Sequence, residues 1–288
     1  MAMGFGCNAA GVVGCRIIDS PRERLIAILT NSLVPCNGRF PTLIMLISLF
    51  FMGGFGLFKE AGSGSPFLCS LITAAFLTGL ILLGIAATLL SSFLLSKTLL
   101  RGIPSAFTLE LPPYRKPQIG KVLIRSVFDR TIFVLGRALM AAAPAGLVIW
   151  LLANINVGNL SLLSRLSGLL EPLGQFLGMD GVILTGFILG FPANEIVIPI
   201  ILMAYLQTGQ LVEMSDQAQL FSLLSAHGWT VKTALCMAVF SLFHWPCSTT
   251  CLTIRKETGS WLWTAVAFLL PTLIGSLLCV LLNILLPG

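Results

Sequence analysis

Gly4-Phe-Gly-Cys-Asn8 has an echo far down the chain in Gly190-Phe-Pro-Ala-Asn-Glu195. Each sets helix-interrupting residues and a few polar or sulfur atoms inside an otherwise apolar run. Each is followed by a Pro-Cys pair, Pro35-Cys36 and Pro246-Cys247. Interrupted hydrophobic segments in corresponding positions of two halves are the sequence pointer to a binding site between repeats of a membrane transporter. The rest of the chain reads as the scaffold that brings these interruptions face to face.

Of the 288 residues, 56% are hydrophobic and 10% charged, with a mean hydropathy of +0.97. A soluble domain carries about 25% charged residues, so the composition is that of a polytopic membrane protein. The net charge of +6 does not point to nucleic acid, because eight of the 17 Lys and Arg lie between Lys97 and Arg137. A basic cluster beside spanning helices reads as a cytoplasmic loop facing anionic lipid. The eight cysteines sit mostly inside apolar segments, which argues against an extracellular disulfide framework. Cys69 and Cys279 are expected to be small buried hydrophobes. Met1 leads straight into the first motif with no basic n-region, so no signal peptide is expected. An opening within a motif suggests an upstream part that is missing or on another chain.

Three regions follow: 1–58, a first gate motif and span; 59–137, a span with a basic loop; and 138–288, a second gate motif and the last spans. Ser20-Pro21 is a helix-start signal. Residues 25–36 are too short to cross a bilayer needing about 20 residues, whereas 41–58, 67–95, 138–153, 229–253 and 261–286 are long enough to be read as spans. Glu110-Leu-Pro-Pro-Tyr-Arg115 is an extended piece, and 121–137 has the pattern of a basic amphipathic surface helix. Residues 154–180 suit an outside loop with an interfacial helix over 160–170, and 207–228 a polar outside loop. With 16–24, Arg39, 97–137 and Arg255-Lys256 placed inside by charge, both 25–36 and 181–206 must dip in and return.

Non-helical backbone at membrane depth is tolerated where it is buried in protein or lines a cavity, so Gly4, Gly6, Gly190 and Pro192 argue for a lined path. Close helix packing through small residues is the plainer alternative. Glu195, among Ile188, Leu189, Ile196 and Val197, is an ionisable group of the kind that marks substrate or proton pathways. Cys247 and Cys251 are spaced i,i+4, which puts both thiols on one helix face. Cys236, three turns earlier, falls near that face on a straight helix. Thiolates suit softer transition metals and carboxamide or carboxylate oxygen suits harder ions. Cys7, Cys36, Cys247 and Cys251 with Asn8, Asn194 and Glu195 would therefore make a borderline site for a divalent first-row metal in transit. For any single cysteine, core packing is the simpler account; His244 is expected to be satisfied locally and His227 to lie in a loop. There is no Gly-x-x-x-x-Gly-Lys-Ser/Thr phosphate loop and no hydrolytic constellation, so an enzyme is not expected.

Read in order, Gly4-Phe-Gly-Cys-Asn8, Arg22-Glu-Arg24, Pro35-Cys-Asn-Gly-Arg-Phe-Pro41, Glu110-Leu-Pro-Pro-Tyr-Arg115, Gly190-Phe-Pro-Ala-Asn-Glu195 and Pro246-Cys247 with Ile254-Arg-Lys-Glu257 and Gly259-Ser-Trp261 resemble the membrane half of the ferrous-iron transport protein B family. The resemblance implies an all-α polytopic membrane protein of two inverted gate-type repeats with broken, re-entrant helices, set in the inner membrane. It implies Fe(II) as transported cargo, no permanently bound cofactor, and Cys7, Cys36 and Cys247 as iron contacts. Implied partners are the lipid bilayer, further copies in a homo-oligomer, and a separate GTPase or upstream transporter subunit. The family's N-terminal GTP-binding domain and the helices ahead of the first gate are absent from this chain. Its second gate commonly reads Lys-Glu where this chain has Asn194-Glu195. Its first commonly reads Cys-Asn-Val-Pro against Cys-Asn-Ala-Ala here. The rival readings are a nucleoside-type solute carrier and a non-transporting gate-domain partner subunit.

Overall fold

Apolar runs punctuated by Pro, Gly and Ser/Asp caps fold into twelve α-helices among the described residues. The computed structural model describes residues 2–51, 66–98, 100, 118, 120–121, 124, 132–158, 160–214 and 216–286. In chain order the helices are α1 (Asn8–Gly14), α2 (Pro21–Thr30), α3 (Phe40–Leu46), α4 (Pro66–Lys97), α5 (Phe133–Asn154) and α6 (Leu162–Phe176). They continue with α7 (Gly181–Leu189), α8 (Val197–Leu206), α9 (Gln217–Ala226), α10 (Val231–Phe243), α11 (Ser248–Thr258) and α12 (Trp261–Leu285). A two-residue antiparallel ribbon, β1 (Asn156–Val157) with β2 (Leu160–Ser161), joins α5 to α6. Side-chain caps fix several starts: Ser20 Oγ accepts from Glu23 N ahead of Pro21, as the Ser-Pro signal predicts, and Asp180 Oδ1 accepts from Ile183 N at 2.6 Å.

Four segments are long and apolar enough to cross a membrane: Pro21–Phe50, Ser70–Lys97, Val231–Thr258 and Trp261–Leu285. A fifth arises if α6 and α7, bent by 109° at their junction, form one span. The two unbroken spans are only 17% and 22% buried over their most apolar windows, against 56% and 61% for the two broken ones. Leu89, Leu90 and Phe93 of α4 and Leu273, Leu277 and Ile284 of α12 lie exposed for lipid. The broken spans form the centre, where loosened backbone finds protein partners instead of hydrocarbon. Their core joins Leu33, Leu43 and Phe50 to Phe187, Phe240 and Phe243.

Several expectations change. Residues 25–36, expected to dip and return, run on into α3 within the 30-residue segment Pro21–Phe50. The polar stretch 207–228 contains α9, capped by Asp216. Residues 181–206 do fold back on themselves: a Cβ at Gly186 would meet Ile201 at 2.7 Å, and one at Gly190 would meet Val197 at 2.6 Å. That register makes α7 and α8 an antiparallel helical hairpin. The turn 59–65, the extended piece 110–115 and most of 121–137 lie outside the described residues, as does the Cys69 side chain.

The two ends of the bundle differ in charge. Arg16 forms a two-pronged pair with Glu257, Nε to Oε2 at 2.7 Å and Nη2 to Oε1 at 2.6 Å; the bond to Glu257 raises the Arg16 pKa. Arg22 donates to the carbonyls of Leu100 and Ser96 at the end of α4, and Arg255 lies 3.7 Å over the Trp261 ring. The far end of Val231–Thr258 carries the other cluster. There Tyr205 bonds Asp180 and accepts from Trp229 Nε1 at 2.7 Å, and His227 stacks on Tyr205.

Candidate functional site: paired helix breaks

Proline and extended backbone interrupt both central spans at matching places. α2 ends at Thr30, and Val34 (φ −85°, ψ 128°) and Cys36 (φ −86°, ψ 166°) are extended before the chain resumes at α3. α10 ends at Phe243, and His244 (φ −66°, ψ 172°) and Cys247 (φ −62°, ψ 160°) are extended before α11. Proline lacks an N–H and clashes with the preceding turn, which favours a stop at both places. The glycine motifs match as well: Cys7 (φ −153°, ψ 125°) precedes α1, and Ala193 (φ −150°, ψ 119°) precedes the 3-10 turn into α8. Each Pro-Cys break is clipped to the glycine motif of its own half. Asn37 N donates to Gly6 O at 3.3 Å, and Ser248 N donates to Phe191 O at 2.9 Å.

At the breaks the halves are joined through Arg39 and Asn194. Arg39 is 1% exposed. Its Nη1 donates to Ser32 O at 3.2 Å and Leu242 O at 2.7 Å; its Nη2 donates to His244 O at 2.9 Å and Trp245 O at 3.3 Å. Burying a charge costs several kcal/mol, and hydrogen bonds to a charged group return about 1.5–3 kcal/mol each, so four carbonyls suffice to hold it. Asn194 bridges Cys36 and His244: its amide lies 3.9 Å from Cys36 Sγ and 3.2 Å from His244 Nε2. His244 Nδ1 sits 2.8 Å from the Ser241 carbonyl and must donate to it. As placed, Asn194 Nδ2 faces Cys36 Sγ and Oδ1 faces His244 Nε2. For a neutral ring Nε2 is then an acceptor, and turning the amide over, NH₂ to the ring and oxygen to the Cys36 thiol, satisfies both contacts. This orientation is assigned from the network.

The sequence-derived residues are therefore only partly gathered. The Cys247 thiol lies within electrostatic range of Cys36 and Cys7, and Arg39 within range of Cys36 and Cys247. Cys7 is exposed, Cys36 buried and Cys247 half-buried. The Cys247 thiol is 3.2 Å from Thr250 Oγ1, while Cys251 donates to Pro246 O at 3.6 Å. Cys236 does not share their face: it is fully buried and its carbonyl accepts from Cys279. The straight-helix extrapolation fails because α10 stops at Phe243. Glu195 is not enclosed by apolar residues; it is exposed, lies over Gly38, and lines a cavity of about 420 Å³ with Glu213, Met45 and Met214. Asn8 is buried, and its backbone carbonyl accepts from Asn31 Nδ2 at 2.9 Å. Gly4 leaves room for Asn31 Oδ1, 2.8 Å from where its Cβ would be; Gly6 has only ordinary contacts, and Pro192 is half-buried.

Among the described residues no group of three or more His, Cys, Asp or Glu is placed to hold a metal. What the breaks hold instead is unfinished polar structure. Among the described residues the buried side-chain atoms without a partner are Asn8 Oδ1, Asn31 Oδ1, Ser32 Oγ, Arg39 Nε and Ser248 Oγ. Every one lies at a break. Arg39 and Asn31 went unnoticed as site residues in the sequence; the available signal was a polar group within one turn of a Pro-Cys break inside an apolar run.

Buried breaks at the centre of lipid-facing helices define an α-helical membrane protein of the gate type. Residues 135–261 match the family described as nucleoside recognition (Gate), and residues 77–129 match ferrous iron transport protein B C terminus. The chain is 31% identical over 281 residues to a Fe(2+) transporter FeoB of Staphylococcus aureus (strain MSSA476), covering 94% of this chain and 38% of the relative. It is 26% identical over 281 residues to the Fe(2+) transporter FeoB of Methanocaldococcus jannaschii, covering 93% and 38%. A Fe(2+) transport protein A/Fe(2+) transporter FeoB fusion protein of Porphyromonas gingivalis is 24% identical over 317 residues, covering 93% and 35%. No solved structure matches. The chain carries the Gate domain and the ferrous iron transport protein B C-terminus domain and is similar over 94% of its length to a Fe(2+) transporter FeoB, spanning less than two-fifths of the length of these curated relatives.

Proposed function

We propose that this chain is the Fe(II) permeation module of a ferrous-iron transporter and that the paired breaks are its gates. The observation that carries the reading is the gathering of unpartnered buried polar atoms at the breaks, the same breaks that carry Cys7, Cys36 and Cys247. Native interiors leave few such atoms, and each calls for a missing partner. A cation in transit supplies one for the four oxygens, Asn8 Oδ1, Asn31 Oδ1, Ser32 Oγ and Ser248 Oγ; Arg39 Nε is a donor and is not served by it. The names of the relatives favour Fe(II) as that cation.

In this reading Glu195 and Glu213 gather the cation in the vestibule. Asn194 and Cys36 receive it, Cys247 and Cys7 take it over, and sulfur suits a borderline metal such as Fe(II). The two halves are inverted repeats. α2 begins at the basic end, while α11 closes at that same end through Arg16–Glu257, so the two broken spans run in opposite directions. The α7–α8 hairpin re-enters from the acidic side, with its glycine motif at the tip. The inner membrane is the expected location. A GTPase part and an A-type transport protein are expected partners, the latter because the Porphyromonas relative is a fusion with one by name.

Co(II) titration of the purified chain tests the site, because thiolate ligation gives an intense sulfur-to-cobalt absorption. Cys36→Ser and Cys247→Ser are each expected to weaken that band and to weaken Fe(II) competition for it. Unchanged binding in both variants would move the cargo site away from the gates.

A further inference from the structure

We propose that Arg39 is a tethered cation: its guanidinium fills a carbonyl cradle at the broken end of α10 and thereby closes the break to hard cations. Leu242, His244 and Trp245 belong to the C-terminal end of a helix that stops at Phe243, where carbonyls lose their intrahelical donors and the helix dipole favours positive charge. In broken-helix transporters such ends and unwound carbonyls hold a free cation. Here the Arg39 fork takes all three, at 2.7, 2.9 and 3.3 Å, and adds Ser32 O at 3.2 Å.

Three features separate this from an ordinary buried arginine. No carboxylate pairs with Arg39 among the described residues, whose ion pair is Arg16–Glu257; the countercharge is carbonyl dipole alone, as in a cation filter. Its charge is permanent at any working pH. Its partners come from both broken spans, Ser32 from the first and the others from the second, so one side chain closes both breaks together. A hard cation arriving at the breaks meets fixed positive charge. A metal that binds sulfur gains bonds to Cys36 and Cys247, both within electrostatic range of the guanidinium, and these offset the repulsion. Arg39 thus becomes a selectivity residue for the permeation path proposed above, on which this reading rests.

The test uses the native chain, Arg39→Gln and Arg39→Lys in liposomes, with K⁺ and Mg²⁺ leak as readouts and millimolar methylguanidinium as the probe cation. Arg39→Gln is expected to raise K⁺ leak about tenfold or more, the scale of focused electrostatic exclusion. Methylguanidinium should bring it back toward the native rate. Arg39→Lys keeps the charge and should stay near native. Leak unchanged in folded Arg39→Gln, or equal in the Gln and Lys variants and indifferent to methylguanidinium, overturns the proposal. If Arg39→Gln does not fold, recovery of folded protein by purification in methylguanidinium supports the cradle, and failure to recover it assigns Arg39 to packing alone. None of these arms reads iron. A native chain that moved no Fe(II) would sink the permeation reading and leave the cradle result standing.

Discussion

Asn194 shows how much a single position carries. It is the partner shared by the Cys36 thiol and the His244 ring, and Asn194→Leu strands both. The expected cost is about 1–3 kcal/mol, the penalty for unpaired buried polar groups, read as a lower thermal midpoint in detergent. Gly11 makes a similar point sterically. A Cβ there would stand 2.5 Å from Asn31 Oδ1, and that amide is held by its bond to the Asn8 carbonyl. Gly11→Ala should therefore destabilise by about 1–3 kcal/mol. At Gly38→Ala the nearest atoms belong to the exposed Glu195 side chain, at 3.2 Å, and the change should fall within about 0.5 kcal/mol of native. At this scale the sequence was a partial guide. Cysteine and glutamate announce themselves by chemistry, so Cys36, Cys247 and Glu195 could be named. Arg39 reads as one more basic residue beside a turn, because three of the four carbonyls that hold it are backbone atoms from about two hundred residues away.

Helix breaks were legible because proline and glycine act locally: Pro35 and Pro246 fall where the two central spans are interrupted, and the glycine motifs lie just ahead of α1 and between α7 and α8. Span length was misjudged for a physical reason. Residues 25–36 look too short when counted to the break, but α2 starts earlier, at Pro21, and the apolar run continues through the break into α3. The α7–α8 hairpin was legible from charge, since neither flanking loop was basic enough for the inside. Close packing of α6 on α7 was not legible, because glycine signals permission and not a partner. A Cβ on Gly181 would lie 2.1 Å from Ser167 O and 2.7 Å from Glu171 N, both backbone atoms that cannot swing aside. Gly181→Ala is thus expected to spread the two helices and cost at least about 1–3 kcal/mol, visible as a lowered midpoint and faster proteolysis near residue 180.

For the whole molecule, Arg16, Arg22 and Arg255 gather at one end and the Asp180–Tyr205–Trp229 cluster lies at the other. The placement of the basic residues was readable from charge counts, and the lipid-facing helices left a signal too: α4 and α12 are more apolar than the broken spans as well as less covered. The basic end depends little on any single pair. Arg16 is 59% exposed in its pair with Glu257, so Arg16→Ala should change stability by less than about 1 kcal/mol in thermal unfolding. The permeation claim depends on the centre. Its most direct test is anaerobic Fe(II) uptake into proteoliposomes holding this chain, beside Cys247→Ser and with uridine as a comparison solute. Saturable Fe(II) entry that falls sharply in Cys247→Ser, with no uridine entry, is the expected result. Uridine entry without Fe(II) entry, or Fe(II) entry indifferent to Cys247, would contradict it.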